Sequence, residues 1–128
     1  MPLLLTLSSG VTGYTTIHAA SARQALTRLR FIAQLAETSS ELPLAALNNL
    51  VSDAIDVVVH CARVGGRVQV TEILAVEDLQ GGADATNFTT SVLFARETPD
   101  AELKWTGNLP SRAARALASV GYDVSSDL

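Results

Sequence analysis

The chain contains one lysine, Lys104, and the residue before it is Leu103, so no Gly-Lys pair occurs anywhere. A phosphate-binding loop, G-x-x-x-x-G-K-S/T, needs glycines for close backbone approach and a lysine on the phosphates. Its absence predicts that the chain hydrolyses no ATP by itself. Cysteine is as scarce. Cys61 stands alone, which excludes an intrachain disulfide framework and a four-cysteine metal site. It lies in the run Val57-Val58-Val59-His60-Cys61-Ala62 and reads as core filler, because free cysteine is among the most buried residue types. Basic residues form no stripe with interleaved aromatics, which argues against nucleic acid as a partner, although an Arg set on one helix suits an anion. No G-x-S-x-G elbow supports a serine hydrolase. The two histidines, His18 and His60, lie far apart without local acidic partners, and no metal site is expected. The opening run Met1-Pro2-Leu3-Leu4-Leu5-Thr6-Leu7 lacks a basic flank and is too short for a signal peptide or a membrane span. A cytoplasmic protein without direct membrane insertion is the simplest reading.

What is present suits a globular fold. The 128 residues correspond to one domain or part of one. They are 48% hydrophobic and 17% charged, with a net charge of −4, enough apolar matter to bury a core. Aromatics are only 5%, so Leu, Val, Ile and Ala must build it.

Residues 3–8 read as the end of a helix stopped near Gly10. Tyr14, Thr15, Thr16 and Ile17 are aromatic or β-branched, and residues 14–19 are expected to form a strand. Ser21 then serves as an N-cap, with Gln24 completing a capping box. Ala25, Leu26, Leu29, Ile32, Ala33 and Ala36 recur at helical spacing, giving a helix over 22–37. Residues 38–41 are a loop, and Pro43 opens a second helix whose buried stripe is Leu44, Leu47, Leu50, Val51, Ala54 and Ile55. Residues 57–64 read as a strand buried on both faces. Gly65-Gly66 is a hairpin turn. Strands follow over 67–76, 87–96 and 102–106, with a turn at 80–84. A last helix runs from Ser111 to about Val120 and stops at Gly121.

Ile73-Leu74-Ala75-Val76-Glu77-Asp78 has the shape of a Walker B strand, a weak pattern that any strand leaving a core reproduces. His60, inside an apolar strand, reads as a satisfied core histidine. His18 stands apart. It ends a strand and precedes a capped helix, where exposed amides and the positive dipole end favour an anion.

These residues carry a resemblance. Leu4-Leu5-Thr6-Leu7-Ser8-Ser9-Gly10-Val11-Thr12-Gly13-Tyr14-Thr15-Thr16-Ile17-His18-Ala19-Ala20-Ser21 is similar to the His box of type II/IV secretion ATPases, closest to the tight-adherence pilus branch. Ala20 replaces the usual Asn of that family's T-x-H-A-N-S. Ala25-Leu26-Thr27-Arg28-Leu29 resembles its A-L-x-R-L helix, residues 52–60 its A-I-D-x-V-V-H strand, and residues 67–73 its R-R-V-T-E-I return strand. Residues 105–110 and 121–124 look like the tail of the same branch. The resemblance implies an α/β fold: the C-terminal part of a RecA-like P-loop ATPase domain, with an antiparallel β meander and a C-terminal helix. Residues 1–64 would be the RecA-like portion with the His box, and residues 65–128 the meander and tail. The family's members are hexameric motors that use ATP and Mg to power pilus assembly or secretion at the inner membrane. By resemblance, His18 would contact the phosphate side of the nucleotide site as the catalytic residue. Thr15 and Thr16 would position its strand, and Arg28 would serve a phosphate or a subunit interface. Arg23 and Arg30 are expected to be solvated. The chain alone would bind no cofactor. The partners implied are further copies of the chain and inner-membrane secretion or pilus components. A standalone module that binds a secretion motor is the alternative.

Overall fold

The computed structural model describes residues 2–36 and 42–126. Three helices come first: α1 (Pro2–Ser8), α2 (Ala22–Ala36) and α3 (Leu44–Ala54). A four-stranded antiparallel meander follows, β1 (Val57–Val64), β2 (Arg67–Glu77), β3 (Thr89–Ala95) and β4 (Lys104–Trp105), in spatial order β1-β2-β3-β4. Helix α4 (Ser111–Ala118) comes last. The α/β class, the meander and the C-terminal helix all stand as expected. The loop expected over 38–41 lies outside the described residues.

Local chemistry explains most of these elements. Ser21 Oγ accepts from the Gln24 amide at 3.1 Å, the forward arm of the capping box, while Gln24 Oε1 reaches back one residue further and accepts from the Ala20 amide at 2.5 Å. Gly65 and Gly66 adopt φ values of 59° and 80°, the left-handed pair that lets a two-residue turn match the twist of its strands. Val64 pairs directly with Arg67 across it. Helix α4 ends with the Tyr122 amide on the Leu117 carbonyl and the Gly121 amide on the Ala118 carbonyl, a Schellman pattern with Gly121 at φ 87°.

The core lies between the helices and one sheet face. Leu4, Leu26, Leu47, Val51, Leu74, Val76 and Phe88 are its larger buried members, with Val58 and Val92 packed against it. Each fully buried Leu, Val or Phe contributes about 1.5–3 kcal/mol relative to exposure. Val58, Leu74 and Val92 are register partners across three strands, so one pleat face supplies the sheet's share.

Several expectations are corrected. Residues 11–19 hold no regular secondary structure. The β-branched run at 14–19 has strand propensity, but that preference is realised only against neighbouring strands; here Tyr14 is 99% exposed. Strand β1 alternates between exposed and half-buried positions and is not covered on both faces, so Cys61 is exposed and is not core filler. Ile32 and Ala36 of α2 are exposed, leaving the buried stripe narrower than its spacing implied, and Leu44 of α3 is exposed as well. Pro43 is the N-cap of α3, one position before the helical turn it was expected to open. Among the described residues no helix is long and apolar enough to cross a membrane.

Candidate functional site

Thr15, Thr16 and His18 all lie exposed on the irregular stretch that runs into α2. The capping box fixes where that stretch ends, because the Ala20 amide is held by Gln24 and the helix starts two residues later. His60 supplies a second anchor: its Nε2 lies 3.1 Å from the Ala19 carbonyl, while Nδ1 lies 2.7 Å from Thr71 Oγ1. It is half-buried with both ring nitrogens partnered, so it is satisfied as expected but lies outside the core.

Arg28 is also exposed, but it stands six residues into α2, about 9 Å along the axis from Ala22 at 1.5 Å per residue. The fold therefore groups Thr15, Thr16 and His18 on one short segment and sets Arg28 nearly two turns away. Two hydroxyls and an imidazole can contact one side of a phosphate. They do not make a nucleotide site alone, because Lys104 lies on β4 and no glycine-lysine cradle exists. Among the described residues no group of three or more His, Cys, Asp or Glu is placed to hold a metal ion.

Arg23 is exposed, as expected of a solvated residue, although its guanidinium is engaged, and Arg30 is half-buried. Arg23 donates to Thr90 Oγ1 and to the Phe88 carbonyl, both at 2.8 Å. Arg30 donates to Asn48 Oδ1 at 2.7 Å and to the Thr86 carbonyl at 2.6 Å, and its guanidinium lies 5.3 Å from the centroid of the Phe88 ring. Asn48, fully buried, donates to the carbonyls of Ala85 and Asn87. These three side chains of α2 and α3 bind the backbone of residues 85–88, which seats Phe88 in the core. A polar Asn48 within the apolar stripe of Leu47 and Val51 is the signal in the sequence that marks this clamp.

The acids at the end of β2 serve α4. Glu77, 8% exposed, accepts from the Ser111 amide at 2.9 Å, the Arg112 amide at 3.1 Å and Ser91 Oγ at 3.2 Å. It satisfies first-turn amides that Pro110 cannot cap and sits at the positive end of the helix dipole. Asp78 pairs with Arg115, and Arg112 bonds Asp56 and the Ile55 carbonyl. The Walker-like pattern is thus a helix cap and an ion pair. No protein-family model, curated protein or solved structure matches the chain.

Proposed function

We propose that this chain is the C-terminal part of a hexameric secretion or pilus-assembly motor ATPase, ATP-linked in its parent and inactive by itself. The observation that carries this reading is the placement of Thr15, Thr16 and His18, exposed together on one anchored segment at the start of α2. Such a segment can offer His18 to a phosphate held by other parts of the motor, with Arg28 turned outward toward a neighbouring subunit. The five motifs that follow one another in family order support the same conclusion. In this reading ATP and Mg are bound by the parent, at the cytoplasmic side of the inner membrane.

Three measurements test it. The coding sequence upstream of Met1 should continue in frame into a G-x-x-x-x-G-K-S/T motif. In the joined protein, His18→Ala should lower turnover by roughly 10²-fold or more while nucleotide affinity changes little, as for a group acting in the transition state. Unchanged turnover removes His18 from the site. The chain by itself should release no phosphate from ATP above a heat-killed control.

One observation favours a second reading, a standalone module that binds a secretion motor. Phe31 and Leu35 are 57% and 60% exposed on the side of α2 opposite Ala22, Leu26 and Ala33, an apolar face suited to a partner. A true start codon at Met1, with no P-loop in frame before it, would decide for the module.

A further inference from the structure

Strand β1 lies at one edge of the sheet, and its backbone can be accounted for residue by residue. The Asp56 carbonyl accepts from the Val76 amide at 2.8 Å. In an antiparallel ladder such bonded pairs alternate with pairs whose polar groups turn away from each other. Val57 and Val59, opposite Ala75 and Ile73, therefore direct their N–H and C=O groups away from β2. The register shifts between His60 and Cys61, and the residue passed over is Thr71. The extra residue thus lies on β2, and β1 itself stays regular. Counting back from Val64 and Arg67, the bonded pair that closes the two-residue turn, the outward residues are Arg63 and Cys61. Among the described residues no hydrogen bond reaches the β1 backbone from any element but β2.

Native sheets blunt such edges with short strands, lysine, proline or a bulge on the edge itself. The opposite edge conforms, because β4 is two residues long and contains Lys104. Strand β1 has eight residues, no lysine, proline or glycine, and one charge, Arg63, near its end. Its outer side chains Val57, Val59 and Cys61 are exposed. We propose that the β1 edge is a strand-addition site for an extended segment of a partner protein, with apolar side chains beside Val57, Val59 and Cys61 and an acid beside Arg63. The outward N–H and C=O groups at every second residue match an extended chain; a helix has already bonded its own backbone. Side chains on neighbouring strands pair across the ladder, which sets the apolar positions and the acid. The acid favours a different protein over a second copy. Two β1 strands paired antiparallel along their whole length would set Arg63 against Val57 of the second copy, with no acid on that face. The site rests on the sheet and not on the motor reading.

Nuclear magnetic resonance on the intact chain tests it, with a capped seven-residue peptide of one glutamate followed by threonine and valine in alternation. Run antiparallel to β1, this probe sets its glutamate at Arg63 and its valines at Cys61, Val59 and Val57. In the free chain the amides of Val57, Val59, Cys61 and Arg63, corrected for intrinsic exchange, should exchange faster than those of Val58, His60, Ala62 and Val64. With peptide the first four should shift and become protected. N-methylation of the valines, whose amides face β1, should weaken binding at least about tenfold. N-methylation of the threonines, whose amides face solvent, should change it little. Val59→Pro removes one outward donor while leaving the bonds to β2 in place, and should weaken binding by about tenfold as well. No shift at about 1 mM peptide, or equal loss on either methylation, overturns the site. Slow exchange at the four outward amides of the free chain overturns it too, because the edge is then already filled by a second copy or by another part of the chain.

Discussion

Glu77 shows how far a single side chain's task can lie from what its neighbours in sequence suggest. Read locally, an acid after Val76 ends a strand; in three dimensions its partners are 14, 34 and 35 residues away. Nothing near residue 77 announces them, and the same holds for the bonds that Arg23 and Arg30 give to the Phe88 and Thr86 carbonyls on a distant turn. Side-chain-to-carbonyl bonds of this kind leave no pattern in a sequence, because any residue supplies a carbonyl. Glu77→Ala strips the first turn of α4 of its acceptor and should lower stability by about 2–4 kcal/mol. Glu77→Gln keeps an acceptor oxygen and should cost less. Urea titrations followed by circular dichroism measure both, and equal midpoints for all three proteins would contradict the cap. Asp123 offers a gentler case. The Ser125 hydroxyl and then the Ser125 amide hold its carboxyl below the ordinary Asp value. A depressed folded-state pKa means that the turn's support is present above the unfolded value and is lost as pH falls through the folded one. The Ser125 amide should keep its chemical shift down through the usual carboxylate range and move only at lower pH, and Asp123→Asn should remove that transition.

Elements whose causes are local were legible from the chain. The capping box of α2, the Gly65-Gly66 turn and the Gly121 stop each depend on residues a few positions apart, and each appears where its signal lies. The stretch at 14–19 was not legible, because its β-branched residues describe a strand only when a ladder is available. The cover on β1 escaped for a related reason: an unbroken apolar run does not say how many faces are packed, and Val57, Val59 and Cys61 point to the open one. The hairpin allows a clean test of local cause. A Cβ at Gly66 would meet nothing within 4 Å, so any penalty is torsional. Gly66→Ala should cost about 1–2 kcal/mol, whereas Gly66→Asn should cost less because Asn tolerates the left-handed region. Equal thermal midpoints for the two variants would mean that the turn relaxes out of that geometry.

The whole molecule poses a question of exposed surface. Sheet and helices share one core, yet many apolar side chains remain outside it, and two groups of them bear on association. On α2, Phe31 and Leu35 face away from Ala22, Leu26 and Ala33, with Ile32 on the flank at 45% exposure. On β1, Val57 and Val59 line the uncovered sheet face. The stripe that the spacing of α2 suggested is buried at Ala25, Leu26 and Ala33 but exposed at Ile32 and Ala36, and Phe31 and Leu35 lie outside it on the opposite side of the helix. Apolar patches of this kind on a monomer mark interaction surfaces. No strand forms at 14–19 to exchange between copies, so association should rest on helices and not on a strand edge. We predict a dimer or larger assembly at micromolar concentration, read by light scattering, with α2 at the contact. Phe31→Ser combined with Leu35→Ser should return the particle to monomer mass. Its unfolding free energy, measured at dilution, should stay within about 0.5 kcal/mol of the parent, since surface changes away from the core cost little. Val59→Lys on β1 should leave the mass unaltered. If the mass instead falls only with Val59→Lys, the contact lies on the sheet, and α2 keeps its outer face for a different partner. A monomer at every concentration would remove self-association altogether and move the balance toward the module reading, in which Phe31 and Leu35 await a component of the motor.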